Sequence, residues 1–597
     1  MDDETATGVT MDPVTFEVLR NALSNIVDEM GVRLARVAFS PVVSEGRDFS
    51  LCICTHDGRI LCTGPEDLPA ALGTLGFTIS SVLGRFSGDV YRGDIFLVND
   101  PHAAGSHMND MRVVYPVFAG ESVFAWIVGF GHWTDVGGPE PGSFNASATS
   151  CFAEGLRVPP VRIYSRGVPE ASVLDLIFAN IRLPYEARGD LQAVVEACRA
   201  GEARVVELCD RYGVELITAV GDEMMQYSER LLKRHIRGLS SGTYECTDWV
   251  DVDLPHPDRP SYCVKLRMVV EEEKVIFDYR ASDPAPVGPS GSPLPMTWSA
   301  TVCGMLNVFP DVPFNDGVLR SIEVLTTPGS CVHVEFPGAV SGTGAGMYEK
   351  VLACVLSCFG QADPALASGG IYNLTNLTVA GSQPNGRPWV MYVWQAGGFG
   401  ATPRGDGGPP MMSLFSAGTR NQPVEVLERA YPVLFESVAM IPDSMGAGRY
   451  RGGPGEERVF RLLGKEGGVL GAIGDRHLFP IRGVAGGLPG GGQDVVADLG
   501  GCNERSLGVN FAGQRLLRGE RVRTVSGGGG GYGDPLTRMP SAVCDDVCDG
   551  LVSPVRAEEL YGVVMVALDR PPGYEVDEGA TLEKRQQLER GREGRGA

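Results

Sequence analysis

Six residues that could bind a metal or carry out proton transfer fall close together in the chain. They are Asp100, His102, His107, Asp110, His132 and Asp135. Three of the chain's eight histidines are among them, and the pattern His-x-x-Asp occurs twice, beginning at His107 and at His132. Imidazole and carboxylate ligands without thiolate suit zinc, manganese or ferrous iron, and an open coordination position would hold a water for hydrolytic attack. A single residue of either type more often caps a turn, but six together favour a metal or catalytic site.

A predicted β-hairpin brings the two His-x-x-Asp segments together. Apolar runs at 95–98, 113–118 and 123–128 predict strands, and Ala119-Gly120 is predicted to be the turn between the last two. A turn there would pair His107 with His132 across the hairpin. A slip of a residue or two would still leave both segments at the same end of the hairpin.

A second polar cluster lies further toward the N-terminus. It has the sequence Ser44-Glu-Gly-Arg-Asp-Phe-Ser50 and stands between a predicted helix and a hairpin whose turn is Asp57-Gly58. Its charges fit either a functional loop or a salt-bridged surface loop, and the residues alone leave both interpretations open.

Glycine-rich segments raise the alternative of a nucleotide site. The runs at 342–346 and 527–533 lack the Gly-Lys-Ser/Thr of a P-loop, and neither follows a clear strand into a helix. Tight turns explain them better. No Gly-x-Ser-x-Gly motif is convincing and no cysteine has a nearby histidine, so covalent catalysis is not indicated.

The elements that must position the candidate site predict an α+β fold of several units. Asp12-Pro13 starts an amphipathic helix, and helical spacing returns in a central block before a β-rich, glycine-rich remainder. The predicted organisation is a flexible leader (1–12), an α+β region with the metal site (13–170), a helical block (171–238), a β-rich region with interspersed helices (239–574) and a disordered tail (575–597). The segment from Tyr561 to Leu568 is predicted to be the last ordered one.

Composition excludes several classes of protein. The chain has 597 residues, and its hydrophobic content of 43% is ample for a globular core. A net charge of −23 disfavours nucleic acid as a partner, and no apolar stretch is long enough to span a membrane. No signal peptide is evident, which predicts a cytoplasmic protein. The 15 cysteines are scattered through apolar stretches and are predicted to be buried free thiols.

The motifs around these residues resemble those of the hydantoinase B family, over nearly the whole chain. This family includes the B subunits of ATP-dependent N-methylhydantoinases and lactamases, the second half of 5-oxoprolinases, and subunits of acetone and acetophenone carboxylases. The matching motifs are Ser44–Ser50, Asn99-Asp-Pro101, Gly105-Ser-His107, Asp135-Val-Gly-Gly138, Pro141-Gly-Ser143, Glu154–Pro160, Asp443-Ser444, Arg449–Gly453 and Gly528–Pro535.

The resemblance implies a site and a partner. Carried over position by position, the metal ligands would be Asp48, His107, Asp110 and His132. Asp135 and Glu45 would be neighbouring residues that support the ligands or transfer a proton. The resemblance also implies a separate A-type subunit that binds ATP and activates the substrate carbonyl by phosphorylation, hence a hetero-oligomer; the missing P-loop agrees with this.

Two departures from the family pattern bear on the reaction. Ser106-His-Met-Asn-Asp110 replaces Thr-His-Leu-Pro-Asp, and His132-Trp-Thr-Asp135 replaces His-His-Ala-Asp. The presumed ligands are kept, but Trp133 is expected to alter the wall of the substrate pocket. The leading hypothesis is ATP-dependent hydrolysis of a cyclic amide such as a hydantoin, oxoproline or lactam. The alternatives are a subunit of an ATP-dependent ketone carboxylase and a non-catalytic scaffold for the A-type partner.

Overall fold

The N-terminal helix begins at the residue that the sequence indicates. This computed structural model describes residues 12–64, 67–251, 253–256, 258, 261–569, 571 and 573–593. The Asp12 side chain accepts hydrogen bonds from the backbone N–H groups of Val14 and Thr15, and a proline follows Asp12. These are the capping interactions that start a helix. The predicted leader, apart from Asp12, lies outside the described residues.

Seven helices belong to the N-terminal part of the chain and include the predicted central helical block. They are α1 (Pro13–Val37), α2 (Pro41–Ser44), α3 (Pro69–Leu72), α4 (Leu75–Phe86), α5 (Ala171–Ala179), α6 (Pro184–Tyr212) and α7 (Val214–Arg237). Helix α6 packs against α1 and across the strands that carry the histidines.

The candidate site is built on an antiparallel sheet of seven strands. These are β1 (Phe49–Thr55), β2 (Ile60–Thr63), β3 (Ile95–Val98), β4 (Asp110–Ala119), β5 (Ser122–His132), β6 (Val161–Ser165) and β7 (Val168–Pro169). Their order is β2-β1-β5-β4-β3-β6-β7. Both faces are covered. Alternate residues such as Leu51 and Ile53 contact the core beneath α1 and α6, while Cys52 and Cys54 contact the core on the other face, because side chains alternate along a strand.

The hairpin of β4 and β5 has a different register from the predicted one. His132 pairs with Asp110, and not with His107. The turn lies one residue later than expected, since Ala119 pairs with Ser122, and a β-bulge after Val117 shifts the register further. Bulges of this kind add a residue to one strand and cannot be read from apolar alternation. The two His-x-x-Asp segments still meet at one end of the hairpin.

A second sheet with its own helices packs against the far face of the first. It consists of β8 (Gly242–Val250), β9 (Tyr262–Val270), β10 (Val275–Asp278) and β11 (Ile322–Leu325). The helices that follow are α8 (Leu294–Val308), α9 (Asp316–Leu319) and α10 (Glu349–Ala362). Helices α8 and α10 pack together, and α10 lies on β8 and β9.

The glycine-rich C-terminal half contains two further sheets around one core. Its elements are β12 (Asn376–Ser382), β13 (Pro388–Val393), α11 (Val424–Ala430), β14 (Val433–Met440), β15 (Glu456–Leu462), β16 (Gly468–Ile473), β17 (Asp494–Ala497), β18 (Arg505–Ser506), β19 (Asn510–Leu516) and β20 (Arg521–Val525). The glycine run from 527 to 531 is buried against other backbone segments. A Cβ at Gly529 would lie 1.9 Å from the carbonyl oxygen of Phe399, so a side chain there is excluded by close approach of the backbone.

The prediction of a disordered C-terminal tail is wrong for most of its length. The chain continues through α12 (Pro540–Cys548), α13 (Pro554–Tyr561), β21 (Met565–Ala567), β22 (Tyr574–Val576) and α14 (Glu578–Glu593). Arg585 on α14 donates to the backbone carbonyls of Tyr561 and Arg538, and Arg592 pairs with Asp534. The charged residues whose abundance suggested disorder form these contacts. Residues 594–597 lie outside the described part.

The structure confirms the predicted α+β class, with helices and several sheets interleaved along the chain. Within the described residues, no helix has both the length and the apolar character needed to cross a bilayer. All fifteen cysteines are free thiols, and all but Cys246, Cys502, Cys544 and Cys548 are buried, which agrees with the prediction of buried free thiols.

Candidate metal centre

Three of the predicted ligands converge at one end of the β4–β5 hairpin. Each of His107, Asp110 and His132 offers one ligand atom, all three atoms lie within 4.8 Å of one another, and all three residues are buried. Asp110 and His132 are direct neighbours across the strand pair. His107 precedes β4, and its Nδ1 lies 3.2 Å from Oδ2 of Asp110.

Unsatisfied ring nitrogens, close to a second imidazole and a carboxylate, favour a ligand role for His132. Both ring nitrogens of His132 are buried without a hydrogen-bond partner. A buried polar atom left unpaired costs about 1–3 kcal/mol, so such atoms are rare in native proteins. Two imidazoles and one carboxylate form a donor set that suits a divalent cation such as zinc, manganese or ferrous iron. The residues present therefore fit a metal.

The protonation states of Asp110 and His132 suit ligand roles. Burial lowers the pKa of His107, but Asp110 and Asp48 outweigh it and raise that pKa, so His107 would release a proton on binding a metal. Burial opposes ionisation of Asp110, but the charge and hydrogen bond of His107 outweigh it and hold the Asp110 pKa well below its usual range. Burial and the neighbouring His107 lower the pKa of His132 to about 3. His132 is therefore neutral near pH 7, as a metal-binding imidazole must be.

Asp48 lies beside this group but is not part of the close triad. It immediately precedes β1, and its backbone carbonyl accepts the N–H of His132 at 3.0 Å. Burial raises its pKa to about 8, repulsion by Asp110 adds to the rise, and His107 opposes it. The preceding residue, Arg47, has a φ of 55°, a left-handed conformation that non-glycine residues adopt at some energetic cost. The assignment of Asp48 as a ligand remains a prediction.

An aromatic wall from both halves of the chain closes one side of the group. The His132 ring is stacked with Tyr392 on β13, with centroids 4.7 Å apart, and is nearly parallel to Phe144 at 5.9 Å. The Tyr392 hydroxyl donates to Asn376 on β12 at 2.9 Å. Sequence reasoning missed Phe144 and Tyr392, because no local pattern links Tyr392 to a histidine so far away in the chain.

A buried arginine supports the Asp110 side of the group and was also missed. Arg112, two residues along β4, donates to the hydroxyls of Thr74 and Thr78 at 2.8 Å each. It also donates to Ser106 at 3.4 Å, and the Ser106 hydroxyl donates to Asp110. Period-two alternation places Asp110 and Arg112 on the same face of the sheet, which is the one signal that could have identified Arg112.

The two predicted proton-transfer residues occupy different environments. Asp135 accepts the N–H groups of Gly137 and Arg182 on Oδ1, and the N–H of Gly142 and the Arg182 guanidinium on Oδ2. Both of its oxygens therefore hold the loop after β5. Glu45 ends α2 and is half-buried, three residues before Asp48.

Asp100 and His102 do not join the group. Asp100 forms an ion pair with Arg157 at 2.5 Å. The His102 ring lies near Asp100, with 3.7 Å between Nδ1 and the nearer carboxylate oxygen, and it contacts the ring of Phe336 edge-on. The six clustered residues thus separate into a close triad, a loop-organising aspartate and a neighbouring Asp–His pair.

Trp133 does not form the wall of the site, contrary to the expectation from the sequence. Its ring is buried in the core beneath α5 and α6, stacked on Phe178 with centroids 5.8 Å apart. Successive side chains of an extended segment point to opposite faces, so the residue after His132 faces away from the group. The wall beside His132 is instead made by Phe144 and Tyr392.

This placement gives a test with a matched pair of variants. Trp133→Phe is expected to lower stability by about 1–2 kcal/mol, because it removes buried volume, and to leave metal content unchanged. Phe144→Leu removes a ring that faces both histidines and is expected to weaken metal binding by about tenfold, as loss of a group that orients a ligand does. Thermal unfolding and metal titration against a chelator would measure the two effects; a larger loss of metal in Trp133→Phe would contradict the placement.

Comparison with known proteins agrees with the resemblance of the motifs. The family model described as Hydantoinase B/oxoprolinase matches residues 12–535. The chain is 31% identical to the beta chain of the caprolactamase of Pseudomonas jessenii, covering 96% of this chain and 98% of that protein. It is 27% identical to the B component of a putative D-/L-hydantoinase of Pseudomonas sp. (strain NS671), covering 93% and 95%.

Two solved structures share the fold. The ATP-dependent caprolactamase from Pseudomonas jessenii matches with a TM-score of 0.88 and 29% identity, covering 97% of this chain and all of that one. A nucleotide-free acetone carboxylase matches with a TM-score of 0.91 and 20% identity, covering 98% and 84%; at this identity the likeness shows the fold alone. Since the family model spans most of the chain and a relative above 30% identity spans nearly all of it, this protein belongs to the hydantoinase B/oxoprolinase family.

Proposed function

We propose that this chain is the metal-bearing subunit of an ATP-dependent, two-component enzyme that hydrolyses a cyclic amide. The observation that carries the proposal is the buried triad of His107, Asp110 and His132, in which both ring nitrogens of His132 are unsatisfied. The names of two relatives support the substrate class and the partner, since they are subunits of a caprolactamase and a hydantoinase. ATP would bind to an A-type partner subunit.

The cation would be held by His107, Asp110 and His132, with Asp48 as the fourth ligand. When bound, a divalent cation polarises an amide carbonyl or lowers the pKa of a coordinated water. The chain's own residues prepare this site. Asp110 is kept ionised by His107, while His132 is kept neutral by burial, so both can donate lone pairs without first losing a proton.

The aromatic wall and the carboxylates beside the triad supply the remaining functions. Phe144 and Tyr392 stack on His132 and on each other, and they would exclude water from that side of the cation. Glu45 is our candidate to accept the proton of the attacking water and pass it to the leaving nitrogen, because it lies in the Asp48 loop and is half-buried. Asp135 is proposed as a positioning residue, because its oxygens are engaged by the loop and by Arg182.

An assay of the purified pair tests the proposal. The chain and its A-type partner, copurified, should open the ring of a hydantoin, of 5-oxoproline or of a lactam only when ATP is present. A parallel reaction should follow bicarbonate-dependent loss of acetone or acetophenone, which the ketone carboxylase alternative requires. Ring opening without ATP, or no reaction with any of these substrates, would refute the two-component hypothesis. Absence of metal from the purified wild type would instead favour the scaffold alternative.

A further inference from the structure

A partly open cavity lies away from the metal centre, between helix α10 and the glycine-rich loops of the C-terminal half. Its volume is about 250 Å³, and its walls come from β8, α10 and the segments 368–371 and 482–484. Most of the lining is apolar, with Leu352 and Leu356 prominent. None of the residues that line it belongs to the triad or to the aromatic wall around His132.

The charged residues of the inner wall are largely paired with one another. Arg476 donates to both carboxylate oxygens of Asp248, at 3.1 and 2.7 Å. Next to them, the fully buried Lys350 donates to Asp475 at 2.6 Å. These pairs neutralise four buried charges, which leaves two other charged residues of the lining available to a ligand.

Glu349 is the first of these two residues. It is 3% exposed, it lines the cavity, and its Oε1 is buried without a hydrogen-bond partner. Burial raises its pKa to about 7, against the opposing effects of a hydrogen bond from Ser413 and the nearby positive charges. A buried carboxyl oxygen with no donor is costly unless a ligand supplies one.

Arg482 is the second charged residue of the lining that is available to a ligand. It is exposed and lines the same cavity, so it marks the outer end while Glu349 marks the inner end. Its guanidinium lies over the ring of Trp249 at 5.3 Å. In the part of the chain that the structure describes, Arg482 has no carboxylate within ion-pair distance, and a guanidinium presented this way suits a carboxylate ligand.

We propose that this cavity is a second small-molecule site, which binds an amino carboxylate: the carboxylate at Arg482, an apolar chain along Leu352 and Leu356, and the amino group at Glu349. The apolar lining between a carboxyl oxygen that lacks a donor and a guanidinium that lacks an anion is the feature that selects this class. A simple carboxylate would leave Glu349 unpaired, and a simple amine would leave Arg482 without an anion. The site does not depend on the reaction proposed for the metal centre.

Calorimetric titration with δ-aminovalerate and γ-aminobutyrate tests the proposal, with valerate and n-pentylamine as ligands that each lack one charged group. Wild type is expected to bind one of the amino carboxylates at millimolar concentration or below, at least about tenfold more tightly than either control, because a charge-assisted hydrogen bond in a buried site is worth that much. No binding of either amino carboxylate, or equal binding of valerate, would overturn it.

Variants separate this site from the metal centre. Glu349→Gln and Arg482→Gln should each weaken amino carboxylate binding about tenfold or more, whereas Arg518→Gln, which changes an exposed arginine elsewhere, should not. Leu352→Trp should abolish binding by filling the cavity. His132→Ala should leave binding unchanged; if it abolishes binding instead, the ligand occupies the metal centre and the proposal fails.

Alkylation of Cys246 offers a second measurement of ligand binding, independent of calorimetry. It lines the cavity, and a hydrogen bond from Cys354 lowers its pKa to about 7, which makes its thiolate reactive near neutral pH. Bound δ-aminovalerate should slow alkylation of Cys246 by iodoacetamide severalfold, while the exposed Cys502 should react at an unchanged rate. Equal rates at Cys246 with and without ligand would contradict occupancy of the cavity.

Discussion

Replacement of His132 by alanine is expected to abolish both metal binding and turnover. The residue contributes a neutral imidazole whose two nitrogens have no hydrogen-bond partner, so its loss removes one of the three proposed ligands of the close triad. Metal affinity should fall by at least about 100-fold, since loss of groups that merely orient ligands already costs up to that much. Turnover with the proposed A-type partner should fall by at least about a thousandfold, because the proposed cation would supply several kcal/mol to the reaction.

A nearby histidine provides the matched control. The ring nitrogens of His102 are likewise buried without a hydrogen-bond partner, but the residue lies outside the triad. His102→Ala should therefore keep stoichiometric metal and most of the activity. Metal can be counted by inductively coupled plasma mass spectrometry on the purified variants. Retained metal in His132→Ala together with lost metal in His102→Ala would mean that the site has been placed on the wrong histidine.

The second large effect is expected on stability and concerns the buried pair of Lys350 and Asp475. Both side chains are fully buried, and Nζ lies 2.6 Å from Oδ1. Lys350→Met would leave the buried Asp475 without its main cationic partner. Removing one partner of a buried ion pair costs about 3–5 kcal/mol, and the onset of thermal unfolding should move to a clearly lower temperature.

An exposed pair shows whether the effect depends on burial. Arg556 and Glu559 lie 3.4 Å apart with side chains about half exposed, and Arg556→Met should cost less than about 0.5 kcal/mol. Since a chain with several cores need not unfold in a single transition, the two variants are best compared by the onset of the first thermal transition. Equal shifts in both variants would show that Lys350 contributes no more than a surface charge.

Local patterns were sufficient to predict the elements that carry the site. Period-two alternation and the turn signals located β1 to β5, and the Asp12-Pro13 cap located the start of α1. The register of the hairpin was not predictable, because a β-bulge after Val117 depends on how the strands twist and pack. Trp133 was expected to change the wall of the substrate pocket because a tryptophan replaces a histidine there. Its side chain points instead into the core, on the face opposite to His132.

The tail shows a limit of a different kind. A segment rich in arginine, glutamate and glycine has too little apolar surface to fold alone, which predicted disorder. Helix α14 is nevertheless held by ion pairs and by hydrogen bonds to backbone carbonyls on other segments. Such partners are invisible in the composition of the segment itself.

The sequence by itself determined the triad of His107, Asp110 and His132, because residue type and spacing along one hairpin are local properties. It also determined, through motifs spread over nearly the whole chain, the family to which the protein belongs. Only the tertiary structure decided that Tyr392 and Arg112 complete the surroundings of the triad, that Trp133 lies in the core, and that Glu349 and Arg482 face one cavity. Those contacts join residues that are distant in the chain or that depend on strand register, and packing of the whole molecule is what brings them together.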